Sequence, residues 1–168
     1  MSSPNFEKKI TSRSGLAQLR ENWQRNKNRI CFTNGCFDVL HVGHIKYLSE
    51  AKALGDILVV GLNSDCSVKK LNKGPNRPFN AENDRAYLLA ALAFVDYVII
   101  FNEDTPEALI NEIIPNVLVK GGDYNPNETE KSHPKYIVGR DVVLKNGGTV
   151  NTINFVDGFS TTKTLNKM

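Results

Sequence analysis

The strongest constraint on the fold is an uninterrupted apolar run at positions 57–62. It consists of isoleucine, leucine, two valines, glycine and leucine, with no polar residue between them. A strand with one solvated face alternates apolar and polar residues, whereas a continuous apolar run is typical of a strand buried on both faces. Strands of that kind belong to parallel sheets with helices packed on each side, so the run predicts an α/β fold.

Further apolar runs alternate with segments of helical periodicity along the chain. The other strands are predicted at residues 30–33, 96–101, 117–120 and 149–155, and the helices at 14–27, 45–54, 64–71, 81–94, 105–114, 136–146 and from 158 onward. Such alternation gives parallel strands joined by right-handed crossovers. We therefore predict a Rossmann-like, doubly wound, five-stranded parallel sheet with helices on both faces. Residues 29–168 are predicted to form this domain, after an N-terminal extension and amphipathic helix at 1–28.

Two helix ends and one helix face can be predicted in more detail. Gly55 is expected to end its helix as a C′ glycine. Ser64 is expected to cap the short helix that follows it. In the helix that begins near residue 81, the spacing predicts four inward side chains: Tyr87, Leu88, Ala91 and Leu92.

Composition excludes several classes of protein. The chain has 168 residues, a net charge of +3 and three cysteines. A charge this small, without an arginine-rich run, does not indicate nucleic-acid binding, but it suits an anionic small substrate. No apolar run approaches the roughly 18 residues of a membrane span. Cys31, Cys36 and Cys66 match neither a disulfide framework nor a zinc knuckle. We expect reduced thiols and a cytoplasmic protein that binds neither nucleic acid nor membrane.

Residues 33–44 join the first predicted strand to a helix through a turn. His41 and His44 lie three positions apart, about one helical turn, on the same face of that helix. Backbone N–H groups at a helix N-terminus attract phosphate, and imidazoles there can donate hydrogen bonds to phosphoryl oxygens. We interpret the junction as a phosphate site. The alternatives are two surface histidines, or a metal site that includes Cys36 or Asp38.

Other polar motifs follow the predicted strands in the same way. Residues 63–65 follow the second strand, 120–124 follow the fourth, and 158–163 follow the fifth. Because ligands bind beyond the carboxyl ends of parallel strands, at the topological switch point, these motifs and the junction should form one site.

The junction also carries a family resemblance. Residues 34–44 resemble the HxGH signature of the nucleotidyltransferase superfamily that includes the cytidylyltransferases, and residues 160–163 resemble its C-terminal Ser-Thr-Thr element. The similarity is closer to the adenylyltransferase domain of the ADP-heptose synthases, and it runs from residue 29 to the end. The segments that carry this closer similarity are 33–38, 63–65, 77–78, 95–96, 103–106, 119–124, 138–143, 146–148 and 158–162.

The resemblance implies that residues 29–168 are a nucleotidyltransferase domain. It implies transfer of AMP from ATP to D-glycero-D-manno-heptose 1-phosphate with Mg²⁺, giving ADP-heptose and pyrophosphate for lipopolysaccharide or another heptose-bearing glycan. In that family the domain is often fused to a sugar kinase. The length of this chain leads us to expect a stand-alone adenylyltransferase.

The resemblance also implies a set of site residues. The catalytic candidates are His41, His44, Asp38 and Lys73. The candidates for nucleotide binding are Thr33, Asn34, Gly35, Cys36, Phe37, Gly43, Asn63, Asp65, Arg77, Arg85, Lys120, Gly121, Gly122, Asp123, Ser160, Thr161 and Thr162. Asp38 and Asp65 are the carboxylates that we place near Mg²⁺.

Structural roles are the alternatives for many of these residues. Asp38 could instead orient a histidine or cap the turn, and Asp65 could be an ordinary acid at a helix start. The remaining alternatives are a solvated basic loop at Lys73 and Arg77, a surface arginine at Arg85, a tight turn at 120–123, and an ordinary N-cap at Ser160.

Two other functions compete with adenylyl transfer. One is a cytidylyltransferase that acts on glycerol 3-phosphate or a similar polyol phosphate. Residues 155–161 lack the arginine of the cytidylyltransferase pattern there, which argues against this alternative. The other is a nucleotide-binding module without catalysis. The leading helix with Trp23 either packs on the domain or forms a homodimer contact.

Overall fold

The computed structural model describes residues 5–71, 74 and 76–154. After a short 3-10 helix at Phe6–Lys9, the helices are α1 (Arg13–Arg25), α2 (Val42–Lys52), α3 (Asp65–Lys70), α4 (Glu82–Ala90), α5 (Glu107–Ile113) and α6 (Arg140–Lys145). The strands are β1 (Ile30–Gly35), β2 (Ile57–Asn63), β3 (Tyr97–Phe101), β4 (Val117–Gly121) and β5 (Thr149–Ile153).

The five strands form one sheet in the order β3-β2-β1-β4-β5. Every neighbouring pair is parallel. The predicted Rossmann-like five-stranded parallel sheet is confirmed. The chain winds from β1 outward to β3, then crosses back to β4 on the other side of β1, so the switch point lies between β1 and β4.

The sheet separates two apolar clusters. On one face Leu58 and Val60 of β2 pack with Leu48 of α2 and Leu89 of α4. On the other face Val59 packs with side chains of three helices: Trp23 of α1, Leu109 of α5 and Val143 of α6. Residues of β2 thus enter both clusters, which explains why its sequence is apolar throughout.

The two central strands separate at their carboxyl ends. Their pairing ends where Phe32 of β1 lies opposite Leu118 of β4. Beyond that point β1 continues to Gly35 alongside β2, and β4 continues to Gly121 alongside β5. The strands therefore open a crevice at the switch point, where α/β folds bind their ligands.

Of the four side chains predicted to face inward from the helix near residue 81, Leu92 packs against the core, whereas the prediction is wrong for Tyr87, Leu88 and Ala91. Tyr87 and Leu88 are each 46% exposed. The buried side chains are Arg85, Ala86, Leu89 and Ala90. The pattern failed because it considered apolar side chains alone, whereas Arg85 is fully buried on the face that carries Ala86 and Leu89.

Gly55 does not end α2 as a C′ glycine. The helix ends at Lys52, and Ala53 at the C-cap has right-handed helical backbone angles. Gly55 is required for a close approach, since a Cβ there would lie 2.6 Å from the carbonyl oxygen of Arg29. The predicted cap at Ser64 is confirmed, because its Oγ accepts a hydrogen bond from the Ser67 N–H at 3.1 Å.

Helix α1 packs on the sheet through Leu16 and Trp23, each 2% exposed. Trp23 is therefore buried within the chain and presents no surface for a dimer contact.

Just before α1, Ile10 forms a parallel bridge with Val98, which covers part of the edge of β3. Within the described ranges, no helix is both long and apolar enough to cross a membrane.

Candidate active site

The structure places His41 and His44 together at the first turn of α2. His41 is the N-cap residue, with extended backbone angles, and its carbonyl accepts the His44 N–H at 2.9 Å. The two rings stack, with their centroids 3.8 Å apart. Burial, with a smaller effect of His41, lowers the pKa of His44 to about 4. Burial also lowers the pKa of His41. Both imidazoles are therefore neutral at pH 7, and each carries one N–H to donate.

Asp38 lies in the segment between β1 and α2, is 5% exposed and has several hydrogen-bond partners. One carboxylate oxygen accepts from Arg77 Nη1 at 2.5 Å. The other accepts from the backbone N–H of Phe79 at 2.6 Å and of Asn80 at 3.1 Å. The Asn80 side-chain amide donates in turn to the Asp38 carbonyl at 2.6 Å. Asp38 thus fastens the loop that precedes α4 to the turn after β1.

Arg85 joins three segments at the same edge of the sheet. Its Nη1 donates to the carbonyls of Cys36 at 2.6 Å and Asn63 at 2.8 Å. Its Nε donates to the Asn80 carbonyl at 3.0 Å, and its Nη2 to the Asp65 carboxylate at 2.7 Å. Its side chain is 0% exposed. The structure thus contradicts a surface position for Arg85, and four of its five N–H donors already bond to protein acceptors. The phosphate contact of Arg85 stays a prediction.

The described residues do not fit a protein-held Mg²⁺. Both predicted carboxylates pair with arginines, Asp38 with Arg77 and Asp65 with Arg85. No three His, Cys, Asp or Glu side chains within the described part of the chain are grouped to hold a metal. Mg²⁺ requires near-octahedral oxygen ligands. The geometry favours the alternative role for Asp38, capping the turn, over metal binding.

Lys120 reaches across the crevice between the central strands. Its Nζ donates to Asn34 Oδ1 at 3.0 Å, which links the end of β4 to the end of β1. The same ammonium lies 4.8 Å from the centre of the Tyr124 ring, within cation–π range. Lys120 therefore lies at the open end of the crevice, at the same edge of the sheet as residues 33–44.

The hydroxyl groups of Thr33 in β1 and Tyr47 in α2 form a hydrogen-bonded pair near the crevice. Thr33 is 0% exposed, and its Oγ1 shares a hydrogen bond of 2.7 Å with the Tyr47 hydroxyl. Burial raises the pKa of Tyr47, with smaller effects that include the charge of Asp123. The hydroxyl of Thr33 thus links β1 to α2, and its predicted nucleotide contact stays a prediction.

The remaining predicted residues surround these contacts. Gly35, Cys36 and Gly43 are half-buried, and Asn63 and Phe37 are buried. Gly121, the last residue of β4, is buried, while Gly122 and Asp123 in the turn after it are exposed. The Asn63 side-chain amide donates to Ser67 Oγ at 2.9 Å, which makes it a structural residue of the β2–α3 turn. Lys73, Ser160, Thr161 and Thr162 lie outside the described residues, so their roles stay predictions.

Sequence reasoning missed three residues of the site: Tyr47, Asn80 and Tyr124 as a side-chain contact. Tyr47 had a usable signal, since it lies three positions after His44 on the same helical face. Asn80 had none, because its role depends on Asp38 and Arg85 approaching it from separate segments.

The chain is similar to a known protein family and to known proteins. The family model described as cytidylyltransferase-like matches residues 32–163. The bifunctional protein HldE of Syntrophotalea carbinolica is 50% identical over 163 residues, which cover 97% of this chain and 31% of that protein. HldE of Campylobacter jejuni subsp. doylei is 53% identical over 98% of this chain and 32% of its own length. The chain thus spans about a third of these relatives.

Two solved structures share the fold. A lipopolysaccharide core biosynthesis protein from Thermoplasma volcanium is 29% identical, with a TM-score of 0.58 over 77% of this chain and 97% of that one. Pantoate-beta-alanine ligase from Francisella tularensis, 16% identical, has a TM-score of 0.56 over 86% of this chain and 66% of the ligase, which shows likeness of fold alone. Since the family model covers most of the residues, from the middle of β1 onward, this chain belongs to the cytidylyltransferase-like family.

Proposed function

We propose that the chain is an adenylyltransferase that transfers AMP from ATP to D-glycero-D-manno-heptose 1-phosphate, giving ADP-heptose and pyrophosphate. The observation that carries the proposal is the stacked pair of His41 and His44 at the start of α2, beside the open switch point. That arrangement combines helix N-terminal N–H groups with two imidazole donors, as phosphoryl transfer requires.

The choice of substrates is supported by similarity. Identity of 50% or more to the HldE proteins covers nearly the whole chain, including the segments whose motifs resemble the heptose branch. The structural relative named for lipopolysaccharide core biosynthesis supports a product destined for a heptose-bearing glycan.

The proposed reaction is an in-line displacement at the α-phosphorus of ATP. A sugar phosphate is already anionic at neutral pH, so its oxygen attacks without a general base, and pyrophosphate leaves from the opposite side. The protein then contributes mainly position and charge stabilisation. His41 and His44 donate hydrogen bonds to the α-phosphoryl oxygens as negative charge develops. A phosphate beside them also favours their protonated forms, since an opposite charge raises a histidine pKa.

Lys120 supplies the positive charge at the crevice. Its ammonium is already held by Asn34 and the Tyr124 ring, so little conformational freedom is lost when it meets an anionic substrate. ATP enters this scheme as its magnesium complex, and the chain's own residues perform the positioning.

The experiment is a panel of the four nucleoside triphosphates against heptose 1-phosphate, glycerol 3-phosphate and several other sugar phosphates, with pyrophosphate release as the readout. We expect ATP with heptose 1-phosphate to have the highest kcat/KM. Faster turnover with CTP and glycerol 3-phosphate would instead indicate the cytidylyltransferase alternative. ATP binding without pyrophosphate release from any pair would indicate a binding module.

A further inference from the structure

Phe37 has an unusual conformation for a large side chain. Its φ of 44° lies in the left-handed region, which is unfavourable for residues other than glycine. Its ring is 6% exposed and lies edge-on to the ring of His44, with centroids 5.2 Å apart and planes at 64°. The ring also folds back over Gly35, where a Cβ would lie 3.0 Å from Phe37 Cε2. The ring is thus held between Gly35 and His44.

Hydrogen bonds on both flanks hold this backbone conformation. The carbonyl of Cys36 accepts from the buried Arg85 at 2.6 Å. On the other side, Asp38 accepts from the N–H groups of Phe79 and Asn80. Left-handed conformations at such residues persist when their surroundings over-determine them, and they concentrate at functional sites.

Packing, rather than hydrogen bonding, orients the ring of His44. Its Nδ1 is buried and has no hydrogen-bond partner among the residues that the structure describes. Histidines with a defined role usually have one ring nitrogen fixed by such a bond. Here the two ring contacts, the stack on His41 and the edge of Phe37, take that place.

We propose that Phe37 is a positioning residue whose ring, held by the flanking hydrogen bonds, keeps His44 half-buried and stacked on His41 for donation to the phosphoryl group. The catalytic part of this inference rests on the proposed function, whereas the contact itself does not. Losing the ring should let His44 turn toward solvent. Because the ring is only 6% exposed, the substitution should act through His44 rather than through a contact between the ring and ATP.

Two substitutions of Phe37 and one matched control test the inference. Phe37→Leu retains apolar volume, and Phe37→Gly removes the ring but suits the left-handed backbone, so it keeps a folded variant available. Phe6→Leu is the control, because Phe6 forms a similar edge-to-face pair with Tyr87, 4.8 Å between centroids, and has no part in the site. The readouts are kcat, KM for ATP, and an NMR titration of the His44 imidazole. Assignment is simple in a chain with 3 histidines.

In both Phe37 variants we expect kcat to fall roughly ten- to hundredfold while KM for ATP changes less than about threefold, as for a misplaced donor. The pKa of His44 should rise from about 4 toward its ordinary 6.5, and it should stay low in Phe6→Leu. A folded Phe37 variant with an unchanged His44 titration overturns the inference, and so does a raised pKa with unchanged kcat. If the wild-type protein turned over no substrate pair, the proposed function would fail, and the titration alone would decide the ring contact.

Discussion

The imidazole rings of His41 and His44 lie face to face, with 3.8 Å between their centroids and 18° between their planes. Two imidazolium cations would repel each other at this distance, so the stack requires that at least one ring is neutral. Burial supplies that condition by lowering the pKa of both side chains. The pair is therefore set up to donate hydrogen bonds to an arriving anion rather than to carry two charges beforehand.

Removing either imidazole should slow pyrophosphate release. We expect His41→Ala and His44→Ala each to cost at least about 100-fold in kcat, the usual loss for a donor that acts in the transition state. Steady-state kinetics with ATP and heptose 1-phosphate measures this. His133→Ala is the control, since His133 is exposed and lies in the loop between β4 and α6. Near-normal kcat in both site variants would contradict the mechanism.

The half-buried His44 should make stability fall in mild acid. Its pKa is about 4 in the folded protein and 6.5 ordinarily, so the unfolded chain binds a proton more readily between these values. The contribution of His44 to the free energy of unfolding is therefore fully present above pH 6.5 and decreases as the pH falls toward 4. Thermal unfolding measured across this range should show a smaller decrease in His44→Gln than in the wild type. Parallel curves for the two proteins would show that His44 does not titrate in this way.

Arg85 should matter for stability. Arg85→Lys leaves several of its buried acceptors without a donor, and we expect a loss of about 2–4 kcal/mol in the free energy of unfolding. Urea denaturation measures it, with Arg25→Lys on the exposed face of α1 as the matched control. Unchanged stability together with a raised KM for ATP would instead support a direct phosphate contact.

Asp38→Asn separates a capping role from metal binding. The substitution retains the size of the side chain but removes the buried charge that pairs with the half-buried Arg77, so we expect a loss of about 2–4 kcal/mol in stability. The Mg²⁺ concentration for half-maximal rate should not change. Asp104→Asn, in an exposed ion pair with Lys70, should leave stability almost unaltered. An increase of roughly tenfold in the Mg²⁺ requirement would point to a ligand role after all.

Local patterns predicted the architecture well because they depend on short stretches of chain. The apolar run of β2, the alternation of strands with helices and the cap at Ser64 each follow from neighbouring residues. The same patterns predicted that the motifs after the parallel strands meet at one edge of the sheet. Among the described residues, the bonds from Lys120 to Asn34 and from Arg85 to Cys36 and Asp65 bring three of these motifs together, whereas 158–163 lies outside the described residues. The errors at Gly55 and in the face of α4 arose where a distant contact, to Arg29 or to the Arg85 acceptors, outweighed the local preference.

The sequence by itself therefore determined the fold class, the parallel sheet and the strand ends where the candidate residues lie. Only the tertiary structure decided which of their side chains are buried and which partners they have. A carboxylate or guanidinium can be buried only when enough partners converge on it, and the partners of Asp38 and Arg85 come from segments up to 49 positions away. That convergence ties the turn after β1 to the loop that precedes α4.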